Sequence, residues 1–116
     1  MSFEKFSLTK QIALAVLHGI LEVIFSGKAV PIAHEIDWGK PLVDGDLTTR
    51  TVIVKFFDFE IKITMKEYMH HQGEWLGTAE VNAENSLLSL DLKHSQFGWS
   101  VITDGNVLMD VTVEPK

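Results

Sequence analysis

The sequence predicts an α+β domain in which one buried N-terminal helix packs on a curved antiparallel sheet of about five strands in meander order. Three observations carry the prediction. The segment from Gln11 to Lys28, QIALAVLHGILEVIFSGK, is apolar on almost every face. A surface helix keeps a polar side, so a helix apolar all round belongs in a core or in lipid. From Thr49 onward apolar and polar residues alternate through most of the chain, which is the period of half-buried strands. Near the C-terminus Phe97 to Thr103 and Val107 to Val113 flank Asp104-Gly105-Asn106, a strong hairpin signal. A helix followed by strands makes a two-layer domain.

Each element has its own local reason. Ser7 or Thr9 can cap the helix, and Gly27 with Lys28 supplies a glycine-plus-cation stop, so the helix is expected from about Leu8 to Ser26. Ala29 to Thr48 is rich in Pro, Gly and Asp and reads as loop, with a short strand around Ala33 to Ile36. Val52, Val54 and Phe56 then alternate on one side, while Phe57, Phe59, Ile61, Ile63 and Met65 alternate on the other. The side-chain period of a strand is two, so this slip of frame at Phe56-Phe57 predicts a β-bulge or bend inside one long strand. His70 to Glu74 forms a turn. Trp75, Gly77, Ala79, Val81 and Ala83 face inward on the next strand, their small side chains letting the helix approach. Glu84-Asn85 turns the chain into a strand with Leu88, Leu90 and Leu92 inward. In the last strand Val107, Met109, Val111 and Val113 face in and Leu108 faces out. This outline resembles the helix-grip arrangement of cystatin-like folds in architecture alone, and such folds host inhibitors, ligand binders and enzymes alike.

The 116 residues, 46% of them hydrophobic, suit a single domain, 1–116, with a core of its own. Cys is absent, which removes thiol nucleophiles, disulfides and thiolate metal sites together. Ten Lys plus Arg stand against 16 Asp plus Glu, a net charge of -6, and the isoelectric point is about 5.2. That balance repels nucleic-acid phosphate unless a basic patch exists, and the cations are scattered lysines with Arg50 the sole arginine. No nucleic acid is expected as partner. The apolar stretch Ile12 to Phe25 is shorter than the ~20 residues that span a bilayer and contains His18 and Glu22. No membrane association is expected, and cytoplasmic residence follows by default.

Chemistry-bearing residues are few. His70, His71 and Glu74 are metal-ligand types, but adjacent histidines on a strand point to opposite faces, and a polar turn at the sheet rim is the preferred reading. His18 and Glu22 sit four apart on one helix face, close enough to share a proton. Glu35, Asp37, Asp44 and Asp46 crowd the long loop without the spacing of an EF-hand, so no metal or other cofactor is called. Within that loop Trp38 either folds back as an anchor or is presented to a partner, as Trp often is at interface hot spots. The phosphate-binding, dinucleotide, serine-elbow and HExxH motifs are all missing from the sequence, and their absence withdraws the usual support for those chemistries.

Two functional expectations follow. The first is a small acidic protein-binding module that occupies a partner's surface as an inhibitor, an immunity protein or an anti-defence protein does, through Trp38, Glu35, Asp37, Asp44 and Asp46. Its partner would be another protein, one with a basic surface, and it would not be an enzyme. The alternative is a small-ligand-binding or enzymatic domain with a cavity between helix and sheet, lined by His18, Glu22, Phe57, Phe59 and Trp75. One helix covers only part of a sheet face, so a homodimer through faces or edges suits either expectation.

Overall fold

A computed structural model describes residues 6–26 and 35–112. Ser7 caps the helix α1, Leu8–Val23, with its hydroxyl accepting from the Lys10 amide, and a turn continues to Ser26. The expected Gly27-Lys28 stop and the strand start at Ala33 lie outside the described residues, as does Val113. The expectation of a helix buried on every face needs correction. Ala13, Leu14, Val16, Leu17, Ile20, Leu21 and Ile24 are fully buried, whereas Leu8, Ile12, Ala15 and Glu22 are exposed. A helix lying on one sheet has a side the sheet does not reach, whatever residues stand there.

Eight strands follow, where about five were expected: β1 (Glu35–Asp37), β2 (Leu42–Asp44), β3 (Leu47–Lys55), β4 (Phe59–Tyr68), β5 (Trp75–Ala83), β6 (Ser86–Ser95), β7 (Gly98–Thr103) and β8 (Asn106–Val111). They form one antiparallel sheet in the order β1-β3-β4-β5-β6-β7-β8, a meander from β3 onward, with β2 also pairing β3. The count rises for two reasons. First, the acidic stretch supplies two three-residue strands that share one edge of β3: Glu35 to Asp37 pair with Lys55 to Ile53, and Leu42 to Asp44 with Thr49 to Leu47. Second, the frame slip at Phe56-Phe57 is a chain reversal and not a bulge. The Phe56 amide donates to the Phe59 carbonyl at 2.9 Å, the two rings stack with centroids 5.0 Å apart, and Val54 pairs with Ile61 across the hairpin. An antiparallel return puts both apolar sets on one face, so no bend is needed.

The remaining turns follow their sequence signals. Glu84 and Asn85 both take positive φ, as do Asp104 and Gly105, the backbone of a two-residue hairpin turn. A bulge does occur, in the last hairpin: Val101 pairs with Met109 but Ile102 with Val107, which skips Leu108. The extra residue shifts the frame, so Leu108 is buried and Val107 exposed, the reverse of the simple alternation.

Helix and sheet meet along β5. The Ser7 hydroxyl donates to the Glu84 carboxylate at one end of this strand, and at the other the Phe25 ring lies 5.6 Å from Trp75. The helix also contacts β4 and β8. On a flat sheet β8, three spacings of about 4.8 Å from β5, would be out of reach of a helix about 10 Å across, so the sheet curls around α1. The enclosed core takes Val52 and Val54 from β3, Ile61, Ile63 and Met65 from β4, Ala79 and Val81 from β5, Leu90 and Leu92 from β6, and Trp99 and Val101 from β7. Each large buried side chain contributes about 1.5–3 kcal/mol. Gly77 has a different role from the alanines beneath the helix: a Cβ there would stand 1.8 Å from the Thr64 carbonyl oxygen, so its size is set by the neighbouring strand. No helix among the described residues is long and apolar enough to cross a membrane.

Candidate functional site

The acidic stretch folds onto β3 around one close contact. Gly39, at φ +66°, faces Thr51, and a Cβ at this position would lie 2.0 Å from the Thr51 carbonyl oxygen. Asp37 holds the turn by accepting the Gly39 amide at 2.9 Å. Trp38 is thereby folded back and half-buried against the core, and its carbonyl accepts from Arg50 Nε at 2.9 Å. The same guanidinium donates through Nη1 to the Ile24 carbonyl at the helix C-terminus, 3.3 Å away. Burial lowers the Arg50 pKa. Trp38 is the anchor, and the sole arginine ties helix end and acidic segment to β3.

What this segment displays is different. Glu35, Asp37, Asp44 and Asp46 are exposed, and between the two acidic pairs Leu42 and Val43 on β2 are 69% and 70% exposed. Sequence reasoning missed this pair. Its only signal was two apolar residues between Pro41 and Asp44 in a stretch otherwise made of turn formers. Asp46 reaches the turn after β4: its carbonyl accepts the Met69 amide at 2.7 Å, and its carboxylate lies 3.9 Å from His70 Nδ1. The result is a sheet edge of exposed Leu42, Val43 and Met69 set among carboxylates.

The residues expected to line a cavity beneath the helix are not brought together. His18 and Glu22 do approach, at 3.8 Å, but on the solvent side of α1, each about half exposed. Phe57 stands at the tip of the β3–β4 hairpin, 81% exposed, while Phe59 is buried at that end of the core. Trp75 is at the opposite end of the sheet, since Phe59 pairs with Ala83 and Trp75 with Glu67.

The second concentration of functional groups is the end of β4, β5 and β6. A single 3-10 turn, Met69–His71, carries the adjacent histidines. Their rings are 4.5 Å apart, with His70 toward Asp46 and His71 3.5 Å from Glu74. The loop is pinned to the sheet by Gly73, whose amide donates to the Glu67 carboxylate at 2.6 Å and whose carbonyl accepts from His94 Nδ1 at 2.9 Å. A carbonyl only accepts, so this contact places the proton of neutral His94 on Nδ1. His94 packs against Phe25 and Trp99, with centroids 5.0 and 4.8 Å away. Burial lowers its pKa, opposed by the Gly73 contact and the Glu67 charge. Among the described residues no three His, Asp or Glu side chains gather as a metal ion would require. On the outer face of the sheet, beside this loop, lies a cleft of about 330 Å³.

Comparison with protein-family models, with curated proteins and with solved structures found no match.

Proposed function

We propose that the protein is a small acidic binding module of the cytoplasm that acts by occupying another protein's surface, as inhibitors, immunity proteins and anti-defence proteins do, and that the β1–β2 edge is the surface it uses. The observation that carries this reading is the exposure of Leu42 and Val43 on an edge strand. Sheet edges are normally blunted with charge to prevent unwanted pairing, and Glu35, Asp37 and Asp44 serve that end here. Two exposed aliphatic residues, one on each face of this edge strand, work against it and suit a partner that wraps the edge, with an apolar centre and a charged rim. The carboxylates favour a partner with a basic surface and speed its approach, while the net charge of -6 disfavours nucleic acid. Trp38 anchors the segment that carries this surface to the core. The same edge can also pair with a second copy, and a homodimer belongs to this reading as the self-associated form.

The test isolates the tagged protein from its source cells under native conditions and weighs what accompanies it, for the wild type and for Leu42→Lys/Val43→Lys. Both side chains are exposed, so the variant should fold. A stoichiometric protein, or a second copy, held by the wild type and bound at least tenfold more weakly by the variant is the expected result. A partner retained equally by both moves the interface elsewhere, and wild-type protein recovered alone as a monomer refutes the reading.

A further inference from the structure

We propose that the cleft on the outer face of the sheet is a binding site for a small aromatic carboxylate, independent of the protein-binding edge. On this face Lys55 stands directly opposite Glu60 and Lys62 opposite Glu80, so cross-strand pairing neutralises them. Lys66 and Lys93 are arranged otherwise. Both are direct neighbours of the same residue, Leu76: Lys66 from β4 and Lys93 from β6. Their other cross-strand neighbours are Thr49 and Ser100, and neither lysine forms an ion pair among the described residues. Asp91 lies two residues along β6 from Lys93, and its cross-strand partners are Thr78 and Ile102.

Two ammonium groups therefore flank one leucine in a straight row across three strands. Their Cα atoms are about 10 Å apart, two strand spacings, a distance that flexible lysine stems close onto one anionic group held above Leu76. The cleft of about 330 Å³ is lined by these three residues together with Tyr68, His71 and Glu74. Leu76 is 54% and Tyr68 45% exposed, which gives the cleft an apolar floor and an aromatic wall. Glu74, its carboxylate, is turned toward His71 at 3.5 Å. A volume at the lower end of the range for ligand pockets suits a body of one or two fused rings. Two ammoniums over an apolar, aromatic surface select an anion on that body, and a carboxylate is the compact anion that both can share.

The experiment is a titration of the full ¹⁵N-labelled chain with 2-naphthoate, followed by amide chemical shifts, with the neutral 2-naphthamide as control. The expected result is saturable shifts centred on Lys66, Tyr68, Leu76 and Lys93. Lys66→Gln and Lys93→Gln should each weaken binding about fivefold, the effect of about 1 kcal/mol for an exposed charge pair, and 2-naphthamide should bind at least tenfold more weakly than the acid. The two variants change exposed side chains, and unchanged shifts elsewhere in their spectra verify the fold. Absence of saturable shifts up to about 10 mM, an affinity too weak to count as a site, overturns the proposal. So do equal binding of acid and amide, shifts centred on another part of the molecule, or wild-type affinity in both lysine variants.

Discussion

Arg50→Met removes the guanidinium that joins three parts of the molecule while keeping an unbranched side chain that replaces the arginine stem. Two hydrogen bonds disappear, the 2.9 Å bond to the Trp38 carbonyl and the 3.3 Å bond to the Ile24 carbonyl. A hydrogen bond from a charged donor contributes roughly 1.5–3 kcal/mol net. Taking the shorter bond at about 2 and the long one at about 1 gives a loss of about 3 kcal/mol. The variant also escapes the cost of holding a charge away from water, the same burial that lowers the Arg50 pKa. With that offset the expected net destabilisation is about 2 kcal/mol, or about 8 °C in melting temperature for a chain of this size. Urea unfolding and thermal melts followed by circular dichroism measure it. Arg50→Lys should recover about half, because one ammonium reaches one of the two carbonyls well, and hydrogen exchange in Arg50→Met should quicken first at the end of α1. A variant within about 0.5 kcal/mol of the wild type, the scatter expected of surface changes, would show that the bridge contributes nothing and that Trp38 is held by packing alone.

Gly77→Ala should cost about 3 kcal/mol, the upper range for overpacking, since its Cβ would meet the Thr64 carbonyl oxygen at 1.8 Å and backbone atoms cannot step aside. Chemical denaturation measures this, and a loss under 1 kcal/mol would mean that β4 and β5 separate easily there. Phe56→Ala and Phe57→Ala, adjacent in sequence, should differ: loss of the ring stacked on Phe59 costs more than about 1 kcal/mol, whereas the 81% exposed Phe57 costs less than about 0.5. Equal losses in the same melts would refute the hairpin. His94 is harder to protonate in the folded state than in the unfolded, so the unfolded chain binds more protons as pH falls below about 6.5, the unperturbed value. Stability attributable to His94 is therefore full above that pH and declines below it. Between pH 7 and 5 the stability of His94→Gln should fall less steeply than that of the wild type, and parallel curves would exclude the histidine as the cause.

The elements that could be read from the sequence are those whose signal is local. Ser7 caps the helix through its own hydroxyl, and the turns at Glu84-Asn85 and Asp104-Gly105 rest on residues that tolerate positive φ. The inward set from Ala79 to Leu92 follows from alternation. What failed was reading a change of frame without knowing which neighbour the chain would find. At Phe56-Phe57 the same apolar pattern serves a bulge or a hairpin, and Lys55 to Phe59 contains no Gly or Pro to mark the turn. The ring stacking of Phe56 on Phe59, a contact between side chains and not a turn propensity, accompanies the other outcome. Within β8 the pattern looked unbroken, yet the bulge at Leu108 exchanges inside and outside. The half-exposure of His18 and Glu22 was likewise hidden, because hydropathy does not say how many sides of a helix a single sheet can cover.

Charge poses the same problem at the level of function. Summed over the chain, acids outnumber bases and an anion should be repelled. The sheet, however, distributes its lysines by register, and register depends on where the hairpins turn. The reversal at Phe56 to Asp58 sets Lys55 across from Glu60, and the loop from Met69 to Glu74 sets Lys62 across from Glu80 and Lys66 across from Leu76. The Glu84-Asn85 turn then brings Lys93 to the far side of the same leucine. A one-residue change in any of these connections would turn a lysine to the inner face, since neighbouring strand residues point to opposite sides. The row Lys66-Leu76-Lys93 is thus a product of turn geometry, not of composition. Within the cleft the two ammoniums stand against one lining carboxylate, that of Glu74, with Asp91 two residues from Lys93, while the acidic edge on β1 and β2 belongs to another part of the sheet; local arrangement, not the net charge of -6, therefore decides what an anion meets at Leu76.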